Sequence, residues 1–366
     1  MIFWIALATI SAPPPAFADQ IRNDQWHLTF LRISEAHRFT QGEGTVVGVI
    51  DTGIEAHPDL RDNLLEGTDL VAGGTEDGRG DTDSHGTAMA GLIGAHGNPN
   101  GNGALGIAPR SKLVPVRSST LTNVGSSDDL ARGINWAINS GAKIINISST
   151  GGPSPELRES VKRAIEQDIL IIAAAGNSPR DTQVSFPAAL EGVVAVGAVD
   201  RNGNHSPTSV TGTKIEIVAP GVDIFSTGLN GGYRKGTGTS GAAAIVSGAA
   251  ALVRSKFPEL SAKEVVHRLT ATAVDKGPPG RDEQYGYGVL DLVAALTADV
   301  PPLGASADPS VGPSPGPSGS SAAGQPPGGG SSGGWRPGVF VLGAVAAVGL
   351  VGAALFVNRR RRRGFD

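Results

Sequence analysis

Thr45-Val46-Val47-Gly48-Val49-Ile50-Asp51-Thr52-Gly53 reads as one strand and its exit. Five of the six residues 45–50 are β-branched and none is charged. A continuous apolar run of that length suits a strand covered on both faces, as strands of parallel sheets are. Asp51 then stands at its carboxyl end. Residues 112–116, 143–148, 169–174 and 193–199 repeat the pattern. Helical periods lie between them. Ser127-Asp128-Asp129 opens one, with Leu130, Ile134, Ala137 and Ile138 on one face. Residues 156–167 form another, with Leu157, Val161, Ala164 and Ile165 on one stripe. This alternation predicts an α/β fold with a doubly wound, mostly parallel sheet and helices on both faces. Ligands of such sheets bind beyond the carboxyl ends of the strands. Asp51 is at one such end, and Asn177 just past another.

Composition narrows the chemistry. The chain has 366 residues, 39% of them hydrophobic, enough for one domain of about 250–280 residues plus appendages. It has no cysteine, which excludes disulfides, a thiolate nucleophile and Cys-ligated metal. The net charge is −4, but residues 336–366 carry six arginines and one acid, which leaves the rest at −9. An acidic body argues against a nucleic-acid partner.

Both ends read as membrane-handling segments. Residues 1–10 are apolar, and Ala16-Phe17-Ala18 is a small-residue cleavage site, so residues 1–18 are expected to be a secretory signal peptide. Residues 19–44 are then an N-terminal extension packed on the globular domain, through Trp26, Leu28, Phe30, Leu31 and Ile33. The globular domain is expected over 45–300. Residues 301–334, dominated by Pro, Gly, Ser and Ala, form a linker. Residues 338–357 are apolar and long enough for one transmembrane helix. Arg359 to Arg363 follow in the tail 358–366, which positive-inside places in the cytoplasm and the body outside.

Three short motifs carry a reaction. Ser240, in Gly238-Thr239-Ser240, is a hydroxyl that needs a base to act as a nucleophile at neutral pH. His85, in Ser84-His85-Gly86-Thr87, has the strongest context of the seven histidines. Asp51 would hold the imidazole in one tautomer and stabilise it when protonated. Asn177, closing Ala173-Ala174-Ala175-Gly176-Asn177, offers an amide donor to a developing oxyanion, with the Ser240 N–H as the second donor. A helix starting at Ser240 would aim its positive end at the reaction centre. Any one of these residues alone is an ordinary turn or cap residue. Together, in the order Asp, His, Ser, they point to acyl transfer.

Residues from about 25 to 298 resemble the subtilisin family of serine proteases. The matching stretches are Val49-Ile50-Asp51-Thr52-Gly53-Ile54, His57-Pro58-Asp59-Leu60, Ser84-His85-Gly86-Thr87, Gly106-Ile107-Ala108-Pro109, Ala174-Ala175-Gly176-Asn177, Ala219-Pro220-Gly221 and Gly238-Thr239-Ser240. The resemblance implies endopeptidase action on protein or peptide substrates through an acyl-enzyme. It also implies a peptide laid as a strand beside Ser148, Ser149, Thr150 and Gly151, with Ala174, Ala175 and Gly176 as a second wall. Gln25-Trp26-His27-Leu28, the linker, the span and the arginine tail further resemble the mycosins, membrane-anchored proteases of type VII secretion. So does the short stretch before Asp51, which has no room for a large folding pro-domain. Two departures stand out: many mycosins have cysteines, and Gly241 stands where the family often has Met or Phe.

No metal or other cofactor is required by this chemistry. Calcium is the one ion considered, since Asp59 matches a position that helps bind it in some subtilisins and the loop 98–102 could add oxygens. His57 reads as a structural turn, and Asp77, Asp81 and Asp83 as a solvated surface. Two rival functions fit the same residues: a general cell-surface subtilisin-like protease, and a structural subunit of a secretion complex with dispensable proteolysis.

Overall fold

The β-branched runs become strands of one sheet in the computed structural model, which describes residues 16–71, 77–98, 100–121 and 126–304. The strands are β1 (Val46–Asp51), β2 (Thr68–Asp69), β3 (Lys112–Arg117), β4 (Ile144–Ile147), β5 (Leu170–Ala174), β6 (Val193–Val199) and β7 (Ile215–Pro220). Their order is β2-β3-β1-β4-β5-β6-β7. All six pairings are parallel. The expected α/β parallel architecture is therefore present. Most of the expected signal segment, linker residues 305–334, the span 338–357 and the tail 358–366 lie outside the described residues. Among the described residues no helix is long and apolar enough to cross a membrane.

The helices are α1 (Ala16–Asp24), α2 (Trp26–Phe30), α3 (Ile33–Ala36), α4 (His85–Gly94), α5 (Ser127–Asn139), α6 (Pro155–Glu166), α7 (Thr239–Lys256), α8 (Ala262–Ala271) and α9 (Leu292–Thr297). Successive residues of a strand point to opposite faces, and the two cores divide accordingly. Ile50, Ile145, Ile147 and Ile171 meet Leu130 and Ile134 of α5 and Leu157 and Val161 of α6. Val47, Val49, Ile144 and Ile172 meet Leu92 and Ile93 of α4 and Ile245, Val246 and Leu252 of α7. Each fully buried Leu or Ile contributes about 1.5–3 kcal/mol relative to exposure. Helix α5 starts one residue earlier than its sequence signal: Ser126, not Ser127, is the cap. Its side chain accepts from Asp129 N while Asp129 reaches back to Ser126 N, a reciprocal capping box.

Two features had no clear sequence signal. Strand β7 lies at the edge, and a separate antiparallel hairpin pairs β8 (Ile224–Thr227) with β9 (Tyr233–Gly236). The hairpin crosses α4, where Ser226 Oγ donates to Ala88 O at 2.7 Å and Thr227 Oγ1 to Thr87 O at 2.7 Å.

Helix α1 runs through the residues read as the cleavage junction. Beyond it, Leu28, Leu31, Ile33 and Ala36 enter the α4–α7 core, with Trp26 and Phe30 packed against it. Gln25 is buried, exchanging bonds with Leu105 N and O. His27 is fully buried, and burial pushes its pKa down to about 3. The linkage follows from the sign of that shift. Below pH 6.5 the unfolded chain protonates His27 and the folded chain does not, so stability falls with pH by about 1.4 kcal/mol per unit until about pH 3. His27→Leu should flatten the stability profile between pH 6 and 4 by about that slope. Denaturant unfolding of both proteins across this range checks it, and parallel profiles would refute it.

Candidate active site

The carboxyl ends of β1 and β5 and the amino ends of α4 and α7 meet at one cavity. Its volume is about 450 Å³, and His85, Asn177, Gly238 and Ser240 line it. Asp51, the last residue of β1, lies behind His85, buried at 2% exposure. His85 Nδ1 donates to Asp51 Oδ1 at 2.7 Å, and Thr52 N donates to the same oxygen at 2.8 Å. That bond leaves Nε2 of a neutral His85 as the acceptor. Burial alone would lower the His85 pKa. The charge and hydrogen bond of Asp51 outweigh it and hold the imidazole above its ordinary value of 6.5, with Arg234 opposing and Asp83 assisting.

The Asp-Thr-Gly and Ser-His-Gly-Thr motifs are stitched to each other. Thr52 Oγ1 accepts from Gly86 N at 2.9 Å and donates to Asp81 Oδ1 at 2.9 Å. A Cβ on Gly86 would stand 2.0 Å from Gly53 O, so only glycine lets α4 approach β1 this closely. Asp81 is not the solvated acid expected from the sequence. It is half-buried and caps α4, accepting from Ser84 N, Asp83 N, Thr87 N and Thr87 Oγ1 as well as Thr52. The cause is tertiary: its carboxylate satisfies N–H groups that a helix start leaves unpaired.

Ser240 is the second residue of α7, within the first turn, where helix N–H groups have no intrahelical acceptor. Its Oγ donates to Ser148 O at 3.0 Å. In this conformation its single proton is therefore directed at the end of β4 and not at His85. A buried polar chain holds the two elements together: Ser148 Oγ donates to Ser240 O at 3.2 Å, Asn146 Nδ2 to Ser148 Oγ at 3.0 Å, and Ser247 Oγ to Asn146 Oδ1 at 3.0 Å. Asn146 and Ser247 escaped the sequence reading, although a polar residue inside an apolar strand and another inside an Ala-rich helix were visible signals.

Asn177 has a defined orientation. Its Oδ1 accepts from Thr239 N at 2.9 Å, which leaves Nδ2 free to face the cavity it lines. Thr239 Oγ1 also accepts from Gly176 N at 3.2 Å. Gly238 has φ +154°, and a Cβ there would meet the Asn177 amide at 3.1–3.4 Å, so both backbone conformation and space call for glycine before Thr239.

The expected peptide walls differ in character. Ser148, Ser149, Thr150 and Gly151 follow β4, and Gly151 N donates to Phe186 O at 2.9 Å. The main chain of Ala174, Ala175 and Gly176 is engaged internally: Ala174 pairs with Val196, Ala175 N donates to Val196 O, and Gly176 O accepts from Val210 N. That stretch can present a surface but not a further ladder edge.

Asp59 Oδ2 and Asn102 O, two of the oxygens at the expected calcium position, are engaged. Asp59 Oδ2 accepts from Ala104 N at 2.8 Å and Tyr233 Oη at 2.9 Å. Arg22 Nε donates to Gly103 O at 2.9 Å, and its guanidinium also reaches Asn102 O. Among the described residues no cluster of three or more His, Cys, Asp or Glu could hold a metal ion. His57 Nδ1 accepts from Asp59 N and Nε2 donates to Gly232 O, a turn-stabilising role.

Residues 42–288 match the sequence model of the Subtilase family. The chain is 40% identical over 268 residues to the thermostable alkaline protease of Halalkalibacterium halodurans, covering 72% of this chain and 71% of that one. It is 39% identical over 261 residues to subtilisin DY of Bacillus licheniformis, covering 70% and 92%. Among solved structures, MycP1 from Mycobacterium smegmatis matches with a TM-score of 0.69 at 32% identity, covering 81% of this chain and 88% of that one. The MycP3 protease from the type VII (ESX-3) secretion system matches with a TM-score of 0.66 at 35% identity, covering 75% and 88%.

Proposed function

This chain belongs to the subtilase family of serine endopeptidases, and we propose that Asp51, His85 and Ser240 are its triad and Asn177 its oxyanion donor. The observation that carries the reading is the 2.7 Å bond from His85 Nδ1 to Asp51 Oδ1 beside a cavity shared with Ser240. Rotation about χ1 of Ser240 turns its proton from Ser148 O to His85 Nε2. Ser240 Oγ then attacks the scissile carbonyl carbon as His85 takes the proton. The new oxyanion receives Asn177 Nδ2 and the Ser240 N–H. His85 returns the proton to the leaving amine, the C–N bond breaks and an acyl-enzyme remains. Water, deprotonated by the same imidazole, releases the acid and restores Ser240. The acyl half of the peptide lies along residues 148–151 and against 174–176.

His85 must be neutral to accept the proton, and its pKa is held above 6.5. The acid limb of kcat/KM should therefore have its midpoint above 6.5, with activity rising as pH increases through it. A pH–rate profile with chemistry limiting tests this. A limb centred below about 6, or a flat rate from about pH 5 to 8, would remove His85 as the base.

The proposed setting is the outer face of a membrane, in association with a type VII secretion complex. The similarity to MycP1 and MycP3 supports it, together with the 301–334 linker, the 338–357 span and Arg359 to Arg363. Protease added to intact protoplasts should digest residues 19–335 and spare a tag placed after Asp366. The opposite pattern would invert the topology, and release by salt alone would remove the span.

A further inference from the structure

The loop between α4 and β3 gathers oxygens that call for a positive charge. The Asp59 carboxylate, 1% exposed, stands against it: a Cβ on Gly103 would lie 2.5 and 2.6 Å from its two oxygens. Two successive carbonyls of the loop turn to Arg22 of α1. Its Nε donates to Gly103 O at 2.9 Å and its Nη2 to Asn102 O at 3.4 Å, across about 80 residues of sequence. A carboxylate and carbonyl dipoles held together away from water are costly unless a cation lies beside them.

Calcium is the ion that the family resemblance implies at Asp59, and the residues present do not fit it. A calcium ion takes about 6–8 oxygens at 2.3–2.6 Å. Asn102 O already accepts from Asn98 N at 2.7 Å as well as from Arg22, which uses both lone pairs of that carbonyl. The space is taken too. A Cβ on Gly97 would stand 2.5 Å from Arg22 Nη2, so glycine at that turn leaves room for the guanidinium. Arg22 is half-buried: burial pulls its pKa below the ordinary value, and the charge of Asp59 is the largest influence opposing that shift. Three residues on, Gln25 Oε1 accepts from Leu105 N at 2.9 Å and its Nε2 donates to Leu105 O at 3.0 Å. The same N-terminal segment therefore supplies the charge and clamps the exit of the loop.

We propose that Arg22 is the resident cation of this loop: its guanidinium takes the place of a divalent metal ion, the loop 97–104 is held without one, and removal of Arg22 opens a calcium site at Asp59 and the loop carbonyls. The proposal does not depend on which residue is the nucleophile. Thermal melting of the full chain in EGTA and in calcium tests it. The wild-type midpoint should differ by less than about 1 °C between the two. Arg22→Gln removes the charge and leaves a side chain that offers an oxygen. In EGTA its midpoint should fall by about 4 °C or more, and about 10 mM calcium should recover at least half of that loss. Titration calorimetry should show one calcium ion bound by the variant and none by the wild type. A wild-type midpoint that EGTA lowers by about 4 °C or more and calcium restores would make the metal resident and overturn the proposal without any variant. An Arg22→Gln chain as stable in EGTA as the wild type also overturns it, as does one that calcium fails to restore, including one that folds in neither condition.

Discussion

Ser240→Ala should lower kcat/KM for any peptide substrate by about 10⁴-fold or more and abolish labelling by an organophosphonate, while the fold survives. Stability should change little because one side-chain bond is lost, from Oγ to Ser148 O, at a half-exposed position. A net hydrogen bond contributes about 1 kcal/mol, and alanine is a better helix former than serine in α7. Thermal melting with label incorporation and peptide hydrolysis checks both parts. Label that persists on the Ala variant would identify another nucleophile. The same variant separates the rival functions: in a deletion strain it should fail to restore secretion if chemistry is needed. Full restoration would make the protein a structural subunit whose proteolysis is dispensable.

Asp51→Asn should leave the geometry intact and lower kcat by about 10⁴-fold. Asp51 Oδ1 accepts both His85 Nδ1–H and Thr52 N–H, so an asparagine keeps both bonds only with its oxygen in that position and its NH₂ at the unpartnered Oδ2 position, and a flipped amide turns its NH₂ to both. If the NH₂ faces His85, Nδ1 becomes the acceptor and Nε2 carries the proton, which is the wrong tautomer for taking a proton from Ser240. The variant also loses the negative charge that raises the His85 pKa, against burial and Arg234, so the residual activity should show an acid limb at lower pH than wild type. A pH–rate profile of the residual hydrolysis reads the two effects separately. A kcat within about tenfold of wild type, or an unmoved limb, would place Asp51 outside the catalytic machinery.

Much of the sheet is legible in the sequence. β1, β3, β4, β5 and β6 are largely apolar runs, β4 broken by Asn146 and β3 bounded by Lys112 and Arg117, because both of their faces are covered, and a run needs no partner to be recognised. β7 escaped because it is interrupted by Glu216 and ends in Ala219-Pro220-Gly221, which reads as a turn. β2 is two residues long, too short for a period. The capping box of α5 was displaced by one residue because Ser126 and Ser127 carry the same local signal, and only the long-range bond of Ser127 Oγ to Gly152 O separates them.

The candidate reactive groups were visible as residue types in short motifs, since a carboxylate, an imidazole and a hydroxyl have few equivalents for this chemistry. Strand and helix identity was visible too, because both follow from periods of a few residues. Which atoms meet depended on the three-dimensional fold. His85 reaches Asp51 across 34 residues, Ser240 reaches Ser148 across 92, and Thr239 sets the Asn177 amide across 62. The capping role of Asp81 and the hold of Arg22 on the loop carbonyls belong to the same class. Local propensity acts over one turn or one strand. These contacts arise when sheet order and the packing of α4 and α7 bring distant backbone ends within about 3 Å, and no local pattern encodes that approach.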